Sequence, residues 1–307
     1  MNEVIAIVVT YNRKVLLQEC LDSLLAQTYP LKKILVINNC STDGTEKLFA
    51  QGGKYDDSVV ELVNTGKNLG GAGGFQRGIE TADSMECDWV WIMDDDSIPS
   101  PDALKKLLES AEILNREGVR EVGFLASAVF GPDDEPMNVP RLDAAVSENG
   151  YSDWYRYLEY GIVPVTEATF VSILVPHSAI RKAGYPMGDY FIWGDDTEYT
   201  RRLCRKVGKA YFCGSSRVLH KRFNVRKISI FNENNADRIA MYKYYFRNAL
   251  LNSEKYESRI RLFMRIAGYF GMSFVCLFKS GQKHRFKKFV TIQKGIFAYL
   301  FKSSKLK

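Results

Sequence analysis

Three adjacent carboxylates, Asp94-Asp95-Asp96, close an apolar run, Trp89-Val90-Trp91-Ile92-Met93, that has the length and composition of a buried strand. Strands of open α/β sheets present their ligand-binding residues at the carboxyl end, where these acids stand. Like charges side by side repel, so the cluster is costly unless a divalent cation or a donor-rich ligand neutralises it; an acidic turn facing water is the plainer alternative. A second candidate is the glycine-rich stretch from Asn64 to Gly78, which contains Asn68-Leu69-Gly70-Gly71-Ala72-Gly73-Gly74. Backbone without Cβ atoms lets an anionic ligand approach a helix N-terminus, or lets a helix cross a strand closely. Its spacing fits neither the dinucleotide fingerprint nor a Walker A loop.

The elements that must position these residues alternate from the start. Val4–Val9 reads as a buried strand, Val15–Gln27 as a helix, Lys33–Ile37 as a strand, and Thr42–Phe49 as a short helix with N-cap residues in Ser41-Thr42-Asp43. Val59–Val63 gives a third strand, Phe75–Ala82 a helix, and Trp89–Met93 a fourth strand. Helix Ala103–Arg116 and strand Val122–Ala126 come next. Residues 131–164 are rich in Pro, Gly and Asp, and read either as a functional loop on the acceptor side or as an unrecognised hairpin. Thr169–Pro176 reads as a strand, Asp195–Val207 as a helix, and Ala210–Cys213 with Val218–His220 as edge strands. This order implies an α/β fold with a mostly parallel sheet flanked by helices.

At 307 residues, with 46% hydrophobic and 25% charged residues, the chain can bury a sizeable core. Its net charge of +6 conceals an asymmetry, because residues 255–307 hold 13 Lys/Arg and one acid. The six cysteines form no CxxC pair and read as reduced, structural thiols of a cytosolic protein. The N-terminus lacks the pattern of a signal peptide. The longest apolar stretch, Ile266–Phe278, is 13 residues, too short to span a bilayer but able to lie on its surface.

Val8-Val9-Thr10-Tyr11-Asn12-Arg13, Asn39-Cys40-Ser41-Thr42-Asp43-Gly44-Thr45, Asp94-Asp95-Asp96 and Trp193-Gly194-Asp195-Asp196, in that order and spacing, resemble a family 2 glycosyltransferase of the GT-A fold. Asn68 to Phe75 together with Val218-Leu219-His220 is most similar to the bacterial galactofuranosyltransferases. The resemblance covers about residues 3–225 and implies a catalytic domain over 1–225, followed by a helical basic-aromatic extension over 226–307. It implies a UDP-sugar over the carboxyl ends of the sheet, with Thr10, Tyr11, Arg13, Asn38, Asn68, Gly71, Asp94 and Asp95 on the donor side. Asp94, Asp96 and His220 would hold Mn²⁺ or Mg²⁺; a lone histidine after a strand is otherwise structural. The reaction implied is inverting transfer, with galactofuranose the first choice of sugar and rhamnose or a hexopyranose the alternative.

Asn38 departs from the pattern, since many relatives carry Asp there; an amide both donates and accepts, so the base is read as uracil or another. Asp196 is the implied base that takes the acceptor hydroxyl's proton, and Asp-Asp at a helix start is otherwise good charge placement. Trp193, Asp195 and Tyr190 fall where an acceptor sugar would stack and bond, or else in the core. Trp154, Tyr155 and Tyr157 are weaker candidates of the same kind. The extension reads as amphipathic helices that lie on an anionic membrane beside a lipid-linked acceptor at the inner face of the cell membrane, or that pack on a subunit of a homo-oligomer. Nucleic acid lacks any recognisable module here. The rival of another class is a non-catalytic scaffold in a polysaccharide assembly complex.

Overall fold

The computed structural model describes residues 2–56, 59–222 and 229–301. The chain divides into two compact units, one of Met1–Gly188 with Asp196–Val225 and one of Asp189–Asp195 with Arg226–Lys307.

The first unit is built on a mixed sheet in which β1 (Val4–Thr10), β2 (Lys33–Asn38), β3 (Val60–Asn64) and β4 (Trp89–Asp94) run parallel in the order β3-β2-β1-β4. The interiors of β1, β2 and β4 are apolar because both faces are covered, whereas β3 at the edge carries Glu61 and is only partly buried. Val4, Ala6, Val8, Trp91 and Met93 pack against Leu17, Cys20, Leu21 and Leu24 of α1 (Lys14–Leu25) and against Leu104, Leu107 and Leu108 of α3 (Ala103–Arg116). Ile5, Ile7, Val9, Val90 and Ile92 face the other way, onto Phe75 and Ile79 of α2 (Gly70–Asp83), Ile180 of α4 (His177–Ala183), and Tyr199 and Leu203 of α5 (Asp195–Lys206). The sheet continues through β10 (Ile173–Pro176), which is antiparallel to β4 and to β6 (Leu125–Phe130). Beyond β6 lies β11 (Ala210–His220), parallel to it, then β9 (Ile162–Glu167) and β8 (Arg141–Leu142). Two short strands complete it, β5 (Ser97–Pro99) on β11 and β7 (Pro136–Met137) on β6.

Three expectations change and one alternative is borne out. The expected short helix at Thr42–Phe49 is a single 3₁₀ turn, Thr45–Leu48, entered through a left-handed Gly44. The two edge strands near the end are one strand, β11, whose register shifts between Cys213 and Arg217 across the polar Gly214-Ser215-Ser216; it lies between β6 and β9. The irregular 131–164 segment contains a hairpin after all, β6 returning as β7. Helix α2 starts at Gly70, five residues early, because its glycines are its packing surface: a Cβ at Gly74 would meet Val9 Cγ1 at 2.5 Å, and one at Gly78 would meet Ile7 Cγ2 at 2.5 Å. The crossing reading therefore accounts for Gly74 and Gly78. Gly71 has nothing within 4 Å.

The second unit holds α6 (Ala236–Tyr256), α7 (Arg259–Phe278) and α8 (Arg285–Leu300), joined around Tyr242, Phe246, Leu250, Cys276, Ile292 and Ile296. Ser258 and Asn235 cap α7 and α6 with their side chains. Helix α7 is 20 residues long and, by length and composition, apolar enough to cross a membrane, with 11% of that window buried. The 13-residue apolar run understated it, since the helix also takes in Arg259–Arg265, whose basic residues stand in its first two turns. Ile260, Phe263, Met264, Phe274, Val275 and Phe278 recur at helical spacing and are all about half exposed or more, a continuous apolar stripe.

Candidate functional site

The carboxyl ends of β1, β4 and β11 lie along one edge of the sheet, and the residues of the first motifs gather there. β4 delivers Asp94, the chain turns through Asp95 and Asp96, and β5 pairs with the end of β11 so that Ser97 stands opposite His220. One ligand atom from each of Asp94, Asp96 and His220 lies within 4.8 Å of the others. Nε2 of His220 is 3.1 Å from Oδ1 of Asp96. That oxygen is nonetheless buried and accepts no hydrogen bond of acceptable direction among the described residues. An orphaned buried carboxylate oxygen is expensive, and here it faces an imidazole nitrogen and a second carboxylate. Two carboxylates and one imidazole are a donor set that suits Mg²⁺ or Mn²⁺, the nitrogen favouring Mn²⁺.

The third acid plays another part. Asp95 is 2% exposed and accepts from the Thr10 hydroxyl at 2.8 Å and from Arg13 Nη1 at 2.8 Å. The other arm of the guanidinium reaches Asp96 Oδ2 at 2.6 Å. Arg13 thus holds the turn's two buried carboxylates in one fork. Burial pushes Asp95 up to about 7 despite Arg13, because Asp96 is also close. Asp94 is raised well above the usual carboxylate range by burial, then by Asp96 and Asp95, with the charge of Asp196 adding to the effect. Asp96 goes the other way: burial raises it, but His220 and Arg13 outweigh burial and bring it to about 2. The cluster therefore carries an excess of negative potential that a cation would relieve.

Around this centre, Tyr11 is 44% exposed beyond the end of β1. Asn68 is exposed and caps α2 by accepting from Gly70 N at 2.8 Å, next to the open Gly71. Asn38 is fully buried, its amide taken by Ser41 N and by Asn64, so it shapes the turn beneath the surface. Asn12 and Asn39, which sequence reasoning passed over, brace the same loops: Asn12 accepts from Thr42 N at 2.6 Å, and Asn39 donates to the Gly70 carbonyl at 2.9 Å. Asn12 and Cys40 adopt left-handed backbone conformations, at φ 54 and 65. All six cysteines are free.

Asp196 stands in the first turn of α5 and accepts from Thr197 N at 2.7 Å. The preceding segment, Asp189–Asp195, belongs to the second unit and is held there by α6. Asn248 donates to the carbonyls of Tyr190, Ile192 and Trp193 at 2.7–3.1 Å, Asn252 donates to that of Gly194 at 2.8 Å, and Arg247 to that of Asp189 at 2.6 Å. Tyr190 is 4% exposed with its hydroxyl on Asn252, and Trp193 packs on Tyr242 with ring centroids 5.0 Å apart. Tyr190 is thus buried, whereas Trp193 packs on the core of the second unit with part of its surface still exposed. Asp195 is buried. Trp154 and Tyr155 are exposed, whereas Tyr157 packs edge-on against Tyr211 near the start of β11, at the opposite edge of the sheet from His220.

Comparison with known proteins follows the same lines. Residues 5–120 match the family "Glycosyl transferase family 2". The chain is 30% identical over 223 residues to the galactofuranosyltransferase GlfT1 of Mycobacterium tuberculosis, covering 71% of this chain and 69% of that protein. It is 27% identical over 244 residues to the N-acetylglucosaminyl-diphospho-decaprenol L-rhamnosyltransferase of the same organism, covering 72% and 76%. Among solved structures the fold matches Staphylococcus aureus TarS, with a TM-score of 0.52 and 14% identity over 99% of this chain; the chain spans 44% of TarS. The identity to GlfT1 across two thirds of its length, borne by a GT-A-like sheet that carries the acidic turn at its carboxyl edge, establishes that this chain belongs to glycosyl transferase family 2 and is a glycosyltransferase.

Proposed function

We propose that this chain is a metal-dependent inverting glycosyltransferase that moves galactofuranose from UDP-galactofuranose onto a lipid-linked glycan acceptor in bacterial cell-surface polysaccharide synthesis. The observation that carries this reading is the convergence of Asp94, Asp96 and His220 within 4.8 Å at the sheet edge. Similarity to GlfT1 supports the sugar.

Asp94, Asp96 and His220 would hold Mn²⁺ or Mg²⁺, which when bound offsets the charge that grows on the diphosphate as it leaves. Arg13 keeps Asp95 and Asp96 in place and lends positive charge to the donor side. Tyr11 lies open for the base, and Asn68 with Gly71 for the diphosphate or sugar. Asp196 takes the proton of the acceptor hydroxyl while that oxygen bonds to the anomeric carbon from the face opposite the breaking bond to diphosphate. Asp195 and the carbonyl-anchored Tyr190–Trp193 segment precede Asp196 directly in the chain. The exposed apolar stripe of α7, flanked by basic residues, supports a peripheral position on the inner face of the cell membrane, close to a lipid-linked acceptor.

Calorimetric titration of UDP with Mn²⁺, beside dTDP and GDP, in wild type and Asp96→Ala tests the reading. Metal-dependent UDP binding that the variant loses, followed by turnover of UDP-galactofuranose, is the expected result. Preference for dTDP would move the donor to a rhamnose nucleotide, in keeping with the 27% identical relative. No nucleotide binding at all would favour the scaffold.

A further inference from the structure

The strand pair β6–β7 ends at Asn138, and three independent features meet there. Oδ1 of Asn138 is 3.0 Å from Nδ1 of His220. Asn138 stands at φ 49, a left-handed conformation that asparagine enters more readily than other residues with a side chain. At the far side of the same imidazole, Oδ1 of Asp96 is buried, 3.1 Å from Nε2, and without a properly directed donor. An amide oxygen only accepts, so the contact with Asn138 places a hydrogen on Nδ1. Nε2, on the far side of the ring, is thereby turned toward Asp96 Oδ1 and can offer its lone pair to a cation held between them.

We infer that Asn138 is a positioning residue for the metal centre: its side-chain oxygen fixes the tautomer and ring orientation of His220, so that Nε2 is presented as a ligand beside Asp94 and Asp96. This rests on the reading of Asp94, Asp96 and His220 as a cation site and adds a member to it. The sequence of β7 serves this end. Pro136 and Met137 pair with Phe130 and Val129, and Met137 is buried against Val218 of β11, which carries His220 two residues later. The left-handed turn at Asn138 then swings its side chain back toward the ring. Outer partners of metal-bound histidines contribute roughly 10–100-fold in metal affinity.

The test uses Mn²⁺ alone, with free ion counted by electron paramagnetic resonance, on the full chain. Asn138→Gly accepts the left-handed backbone without strain, so it removes the amide oxygen without distorting the turn, and a thermal melt checks that it is folded. The expected result is Mn²⁺ affinity weakened about 10–100-fold in Asn138→Gly and retained in Asn138→Asp, which keeps an acceptor at the same reach. His220→Ala runs alongside. If His220→Ala loses Mn²⁺ and Asn138→Gly binds it like wild type, the role of Asn138 is overturned and the cation site stands. If both bind Mn²⁺ like wild type, the cation site itself falls.

Discussion

Arg13 and Asp95 meet at 2.8 Å in a buried turn, yet Asp95 is still pushed up to about 7 by burial. The ion pair lowers the cost of the buried acid without removing it. Asp94 is raised as well, so between the unfolded carboxylate value of ~3.9 and about 7 the folded protein binds more protons than the unfolded chain. Stability therefore falls as pH rises through that window. Asp96, at about 2, acts oppositely: its contribution is complete above ~4 and is lost as pH falls toward 2. Metal-free protein should accordingly melt at a lower temperature near pH 8 than near pH 5.5, and saturating Mn²⁺ should raise the melting temperature more near pH 8. Calorimetric scans at the two pH values check this; equal Mn²⁺ shifts would contradict it.

Asp196→Asn keeps the shape and hydrogen-bonding reach of the side chain but cannot accept a proton as a carboxylate does. Transfer should drop by about 10²–10⁴-fold while UDP and Mn²⁺ affinities stay within a few-fold of wild type. Steady-state kinetics beside nucleotide titration separates the two; retention of full turnover would remove Asp196 from the role of base.

Among the glycines of α2, Gly74 and Gly71 should respond differently to a methyl group. Gly74→Ala drives a Cβ to within 2.5 Å of Val9 and 2.9 Å of Asn39, and should destabilise the protein by about 1–3 kcal/mol. Gly71→Ala meets open space and should leave stability unchanged or slightly raised, while UDP affinity falls if the diphosphate approaches there. Denaturant melts of the two variants decide.

Asn248→Ala removes the donor that holds three carbonyls of the segment leading into Asp195-Asp196. Phe191, Trp193 and Gly194 are all left-handed there, at φ 63, 62 and 89, so the segment has little reason to keep its path once released. A shift of about 1 Å carried into Asp196 costs on the order of 10²-fold in turnover. The signature is a fall in kcat with donor affinity intact, since the donor residues lie elsewhere in the chain.

Phe263→Glu together with Phe278→Glu places charge on two exposed positions of α7, 71% and 74% accessible. Folding should be unaffected and sedimentation with vesicles rich in anionic lipid should be lost, more so at higher salt. If wild type stays in the supernatant with such vesicles, the membrane role of this face is wrong.

Asp94, Asp95 and Asp96 were legible because a strand that is apolar to its last residue announces where its carboxyl end must be. The parallel core was legible for the same reason, its strands being apolar on both faces. β11 was not: its middle is Gly214-Ser215-Ser216-Arg217, and a register shift absorbs these polar residues inside a strand that reads as two. The start of α2 was hidden because Gly70 to Gly74 looks like a loop until the nearness of Val9 gives those glycines a reason to be helical. Asn138, Asn248 and Asn39 act through single amides on partners 55–58 residues away for Asn248, 82 for Asn138 and 31 for Asn39, separations over which one sequence carries no signal. Tyr190 and Trp193 showed their type but not their side, because aromatic residues before an acid pair suit a sugar or a core equally well; the burial of Tyr190 depends on Asn252, 62 residues away.

The pairing of His220 with Ser97 joins the end of the last strand to a strand formed more than a hundred residues earlier. Asp94 and Asp96 are made early in the chain, but their nitrogen partner arrives only when β11 has zipped along β6 and docked on β5. A nascent or partly unfolded chain therefore has the acids without the imidazole, so tight Mn²⁺ capture reports that the sheet is complete. An ion bound there would proofread folding as well as aid catalysis, and a chain cut anywhere before β11 should be blind to it.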